Sequence, residues 1–202
     1  DKNPFNDVKY LFNKDVIFKD IPYLLAMNLS GGYDEGTSYN WWQYKTFSEE
    51  ETRKHYDRSE TVEPMRDASC WKERVDANIL ILEEYVNGHP ETAFYFLLPP
   101  YSQLWWDSVY RSGQLEEYLY ARQAAMETLA VYENVRVLDF QTDERIIMEL
   151  DNYMDPVHFS ADINHLMAQE AAKEDSVYLV KKEDIAERAE KMRELADDIL
   201  SP

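Results

Sequence analysis

Two short apolar runs, Thr92–Leu98 (TAFYFLL) and Val135–Phe140 (VRVLDF), restrict the fold of this chain more than any other feature. Each is shorter than a stable helix and almost unbroken in its apolar character, the pattern of a strand with both faces covered. Between them Gln114–Tyr132 carries Leu115, Tyr118, Leu119, Ala125, Met126 and Leu129 at helical spacing. A strand, a helix and a second strand in that order form a right-handed parallel crossover. The expected class is α/β, a three-layer α/β/α arrangement with a short parallel sheet.

Other segments fill in the plan. Residues 71–86 place Val75, Ile79, Leu82 and Val86 on one helical stripe, stopped by Asn87-Gly88-His89-Pro90. The first strand must turn out at Pro99-Pro100-Tyr101-Ser102, because two prolines cannot continue a ladder. Ser160 starts a further amphipathic helix, a short apolar piece follows at Ser176–Val180, and a last helix runs over about 182–200 with Ile185, Ala189, Met192, Leu195 and Ile199 inward. Residues 1–30 are apolar and helix-prone, with Asn6 or Asp7 as a cap and Ser30-Gly31-Gly32 as a stop, while 31–70 are rich in loops, aromatic residues and charge. We expect one α/β domain over 1–202, with 1–70 as a helical and aromatic segment, 71–172 as the core and 173–202 as the terminal helix. The opening DKNPFNDVKY has no initiator Met, so a preceding part of the polypeptide is expected.

The net charge of −19 would suit a disordered acidic tail, but 45% hydrophobic and 14% aromatic residues supply a packed interior. Such a charge repels phosphate backbones and anionic membranes, and no cluster of Lys and Arg opposes it, so nucleic acid is not an expected partner and a neutral substrate such as a sugar is. The single cysteine, Cys70, excludes a disulfide framework and a cysteine-based zinc site. No apolar run is long enough to span a bilayer, so a membrane is met only through an anchor upstream.

Chemistry concentrates after the second strand, where α/β folds keep their sites. In Asp155-Pro156-Val157-His158 an Asp precedes a His by three residues in a turn. The carboxylate can accept the imidazole Nδ1 proton, leaving Nε2 as a general base for a hydroxyl nucleophile. Asp162 and His165 repeat the spacing, but inside a predicted helix, where His165 reads as an exposed helix histidine. Asp151, Asp155 and His158 offer too few nitrogen ligands for a hydrolytic zinc, and neither a metal nor another cofactor is expected. Glycine-rich phosphate loops, GxSxG elbows and HExxH helices are absent from the sequence. Ser102 is the only serine at the right edge to serve as nucleophile for His158, but no Gly accompanies it, so it reads instead as a turn-stabilising hydroxyl or a substrate-contacting residue at the presumed mouth; Ser30 precedes two glycines but follows a helix rather than a strand. Tyr101, Trp105 and Trp106 adjoin that turn as candidate substrate-binding residues. The alternative is a non-catalytic domain that binds glycan or protein through Trp41, Trp42, Trp105 and Trp106.

The segment NYMDPVHFSADIN resembles the last block of SGNH/GDSL hydrolases, and FYFLLPPYS with the following Trp pair and long helix resembles the matching portion of cell-surface SGNH-like proteins of Gram-positive bacteria. These are related in style to proteins that O-acylate polysaccharide and teichoic acid. The likeness covers roughly 71–172. It implies a serine esterase or O-acyltransferase acting on acylated surface glycans, with His158 as general base, Asp155 as its orienting partner and Pro99–Ser102 bordering the mouth. It also implies a fold truncated at its amino end, since the block with the nucleophilic Ser and the Gly-x-Asn oxyanion block have no counterpart here.

Overall fold

A computed structural model of the protein describes residues 14–32 and 41–200. The chain divides into two compact units, Asp1–Lys45 and Thr46–Pro202. In the first, a π-wound turn, Val16–Asp20, runs into helix α1 (Ile21–Leu29). Pro22 follows the junction of the two, where the Ile21 N–H bonds back to Val16 O. The helix stops where the Ser30 hydroxyl donates to Met27 O at 2.9 Å and Gly31 adopts φ 68°. None of its side chains is buried, and Phe18 and Leu29 stand well exposed. The expected cap at Asn6 or Asp7 lies outside the described residues.

The second unit begins with α2 (Glu49–Lys54), inside a stretch whose charge and loop character hide it in the sequence. Its signals are local. Ser48 Oγ accepts the Glu51 N–H at 3.1 Å, the first turn is acidic and the last turn basic, which complements the helix dipole. Helix α3 (Lys72–Gly88) leads to β1 (Phe94–Leu98). The strand opens two residues later than the apolar run because the Thr92 N–H still bonds His89 O in the turn. Asn134 secures that turn, its amide donating to the carbonyls of Val86, His89 and Thr92.

Helix α4 (Gln103–Arg111) follows the Pro pair, and α5 (Leu115–Leu129) supplies the crossover to β2 (Val135–Asp139). The strands pair in parallel, Phe94 opposite Val135 through Leu98 opposite Asp139. Beyond β2 come α6 (Glu144–Ile147), α7 (Ala161–Ala172) and α8 (Ile185–Leu200). The unit is thus mixed α/β, mostly helical around a two-stranded parallel sheet. Ser176–Val180 runs along β2 as an antiparallel bridge, with the Val180 N–H donating to Val137 O and the Asp139 N–H to Tyr178 O, both at 2.9 Å.

Apolar packing brackets β2. Val135 and Val137 join Val86, Met126, Leu129, Val180 and Ile185 in one cluster, whereas Leu138 and Phe140 join Ile146, Ile163, Met167 and Tyr178 in another. A third cluster unites Trp106 and Val109 of α4 with Leu115, Leu119, Met192 and Leu195. The strand β1 differs from the two-sided covering that its apolar run predicts. Phe94, Phe96 and Leu98 pack against the first cluster, but Tyr95 and Leu97 remain 52% and 39% exposed. At the end of β2 Asp139 is fully buried and ion-paired with Arg122 of α5, which carries a charge into the apolar layer only because it is neutralised there.

Candidate active site

The Asp155-to-His158 turn sits on a small hairpin. Tyr153 and Phe159 form an antiparallel bridge, the Met154 N–H donates to His158 O at 3.1 Å, and the Ser160 N–H donates to Asn152 O at 2.8 Å. Within the turn Asp155 Oδ1 accepts the N–H groups of Val157 and His158, both at 2.8 Å, and Oδ2 lies 2.7 Å from His158 Nδ1. The backbone fixes the carboxylate first, and the carboxylate then fixes the imidazole. Burial pushes the Asp155 carboxyl up, but the backbone N–H bonds from His158 and Val157 and the contact with the His158 ring outweigh it and hold it below the usual carboxylate range. It is therefore an acceptor at neutral pH, Nδ1 carries the proton, and Nε2 is left without a partner among the described residues.

The turn is tied to the strand end through Pro156 O, which accepts the Ser102 N–H at 3.2 Å and the Ser102 hydroxyl at 2.7 Å. Ser102 Oγ also caps α4, accepting the Trp105 N–H at 3.4 Å. Ser102 is fully buried, so the expected substrate contact is replaced by the turn-stabilising role: it positions the His158 loop against α4. Trp106 departs from expectation in the same way. It is 1% exposed and belongs to the core. Trp105, next to it, is half-buried and packs against Tyr101 in a tilted arrangement, 4.4 Å between ring centroids.

A hollow of about 550 Å³ holds the pair, lined by Asp155, Pro156, Val157, His158 and Trp105, and by Ser108, His55, Tyr56 and Asp57. The last three come from the segment after α2. That segment is anchored by Thr52, whose fully buried hydroxyl lies 2.8 Å from Ser48 O, 3.1 Å from Leu150 O and 2.7 Å from Tyr153 O. Tyr56 donates to the Asp107 carboxylate, which also receives Arg58 and Arg111. Burial and the bond to Asp107 push the Tyr56 hydroxyl well above its ordinary range, so it stays neutral. Sequence reasoning did not single out His55, Tyr56 or Ser108. Ser108 is an exposed hydroxyl on α4, but backbone N–H groups inside a helix are already bonded and cannot form an oxyanion hole around it.

The other predicted residues separate from this hollow. Asp151 Oδ1 accepts the Glu49 N–H at 2.7 Å and so caps α2. His165 lies on α7 with its Nε2 2.9 Å from the Gln169 amide, far from acting with Asp162 as a second pair. Among the described residues no group of three His, Cys, Asp or Glu is placed to hold a metal. Trp42 is 38% exposed in the first unit, and the Trp41 side chain lies outside the described residues. A second hollow, about 530 Å³, is lined by Asp143, Arg145, Tyr178, Asp184 and Arg188, where Asp143 binds Arg145 and the Tyr178 hydroxyl and Asp184 binds Arg188, and by the further charged residues Glu144, Glu187 and Lys191. The Asp155–His158 hollow is the better candidate because its base is unengaged among the described residues. Comparison of the chain with known family models, with curated proteins and with solved structures finds no match.

Proposed function

We propose that Asp155 and His158 are the acid–base half of a serine-type acyl-transfer site, in an SGNH-like three-layer α/β/α domain acting on acylated cell-surface glycans as an esterase or O-acyltransferase. The observation that carries the reading is the 2.7 Å contact of the Asp155 carboxylate with His158 Nδ1, on a residue whose Nε2 has no partner among the described residues and which lines the hollow. His158 Nε2 takes the proton of an attacking hydroxyl as it adds to the ester carbonyl. Asp155 stabilises the imidazolium, which returns the proton to the leaving alkoxide. Ser102 does not supply that hydroxyl, since it is buried and bonded to Pro156 O; in the SGNH-like reading the nucleophile and the oxyanion donors belong to the family's earlier blocks. The strong negative charge and the aromatic wall at Trp105 support a neutral glycan ester over a phosphorylated or nucleic-acid substrate.

The test is p-nitrophenyl acetate hydrolysis by a longer protein that carries this chain and the preceding segment. His158→Ala should lower turnover by several orders of magnitude, on the order of 10⁴ or more. Activity unchanged by that substitution would rule the assignment out.

A further inference from the structure

The strand β1 pairs only with β2, so among the described residues its other edge carries no partner strand. The Phe94 N–H bonds Asn134 O and Leu98 O accepts the Phe140 N–H, at the two ends of the parallel ladder. Backbone groups alternate sides along a strand, so Phe94, Phe96 and Leu98 turn theirs to β2, and Tyr95 and Leu97 turn theirs to the open edge. Natural sheets blunt such an edge with a charge, a Pro or a covering element. The segment Phe94–Leu98 itself contains no charge and no Pro, and Tyr95 and Leu97 are 52% and 39% exposed.

The same surface continues onto α3. Val86 of this helix packs with Phe94 and Phe96, on the face of the sheet where Met126 and Leu129 of α5 cover β2. Asp76, Leu80 and Glu83 line a groove toward α5. At about 100° per residue Leu82 and Tyr85 fall on the other flank of the helix, above the open edge of β1, and they are 40% and 63% exposed.

The occupant follows from the pattern of the strand. Two copies of FYFLL set antiparallel about a two-fold axis at Phe96 match at every position. Tyr95 of each copy meets Leu97 of the other, and each such pair exchanges both of its N–H···O bonds. Phe96 meets its own counterpart as the closer, non-hydrogen-bonded pair, and Phe94 meets Leu98 of the second copy. Aromatic and aliphatic cross-strand pairs of this kind favour a sheet, and the register ends at Pro99, which has no N–H to extend it. Leu82, Tyr85, Tyr95 and Leu97 together offer roughly 400 Å² of surface per copy. With the backbone edge added, two copies bury about 1,000 Å², the lower limit for a specific interface, so the association is a weak one.

We infer that the open edge of β1 and the adjoining flank of α3 form the interface of a two-fold dimer of this chain, the two copies sharing one continuous sheet. The inference is independent of the acyl-transfer reading, because the pairing uses no residue that lines the His158 hollow.

Sedimentation velocity of the chain tests it, at about 0.15 M salt so that repulsion between two copies of net charge −19 is screened beyond roughly 8 Å. Between about 1 and 200 μM the mass should move from 24.0 kDa toward twice that value, with a midpoint on the order of tens of micromolar. Leu97→Lys places a charge on the open edge without touching the ladder to β2 and should raise the midpoint about tenfold or more. Tyr85→Lys should raise it by a smaller factor, whereas Val177→Lys, at a 75% exposed site outside this surface, should leave it unchanged. Circular dichroism establishes that each variant is folded, and amide exchange at Tyr95 and Leu97 should slow as the wild type is concentrated. A wild type that stays monomeric across the range overturns the inference and leaves the edge to a strand of a different polypeptide. A dimer that survives Leu97→Lys, or forms without protecting the Tyr95 and Leu97 amides, overturns it as well and places the contact elsewhere.

Discussion

Replacing Asp155 by Asn keeps the shape of the side chain and removes its charge, which isolates what the carboxylate contributes to the turn. Native Oδ1 accepts two backbone N–H groups at 2.8 Å, and Oδ2 meets His158 Nδ1 at 2.7 Å. The substituted amide would retain one neutral acceptor for the two N–H groups, at roughly half the strength of a charged one. Hydrogen bonds to a charged group contribute about 1.5–3 kcal/mol each when well shielded. The imidazole is more than half exposed and the Asp155 side chain 23% exposed, so solvent screening reduces the ring contact to a small share. The loss at pH 7 then comes to about 1–2 kcal/mol, mainly from the backbone bonds. The same interactions lower the Asp155 pKa from 3.8, so the folded chain binds fewer protons than the unfolded one around that pH. The stabilisation is complete above the unfolded value and is lost as pH falls through the folded one. Urea unfolding at pH 7 and at about pH 3 reads both effects. Wild type should exceed Asp155→Asn at pH 7, and the gap should narrow in acid. Equal midpoints at pH 7, or a gap that persists unchanged into acid, would refute this account of the turn.

Two further substitutions probe the scaffold. Thr52→Val deletes the hydroxyl that ties α2 to the carbonyls of Leu150 and Tyr153, at a cost of about 1–2 kcal/mol; thermal melts should show a drop of a few degrees that Thr52→Ser largely restores, and a valine variant as stable as wild type would contradict the anchoring role. Gly113 closes α4 at φ 68°, and a Cβ there would lie 2.2 Å from Pro64 O, so Gly113→Ala should destabilise by about 1–3 kcal/mol from the backbone alone and more from the clash, measured by the same melts. A silent Gly113→Ala would mean that the 63–66 segment does not pack on this turn.

Much of the fold could be read from spacing, and the reasons for the remainder are specific. The strands and the crossover helix follow from two apolar runs and one 3.6-residue stripe, all of them local patterns. The open face of β1 could not be read, because a continuous apolar run states what a strand can bury and not what arrives to cover it. The Asp155–His158 contact was legible because a turn brings residues three apart together through backbone N–H bonds to the carboxylate. Asp162 and His165 share the spacing but lie on α7, where the His ring meets Gln169 instead. Trp105 and Trp106 looked equivalent in sequence. Neighbours on a helix point about 100° apart, so once α4 forms only one of the two can face the hollow while the other fills the core. The roles of Ser102 and Thr52 escaped detection because both bond to carbonyls distant in sequence, Pro156 in one case and Leu150 and Tyr153 in the other, and such partners leave no periodic trace. His55 and Tyr56 reach the hollow through that same anchoring.

The protonation state of the His158 ring tests the central claim most directly. In nitrogen-15 spectra at a pH where the imidazole is neutral, the account predicts that Nδ1 carries the proton and Nε2 is bare in the wild-type chain, with that preference lost in Asp155→Asn. A neutral ring protonated at Nε2 in the wild type, or a tautomer indifferent to Asp155, would contradict the assignment of His158 as a base aimed by Asp155.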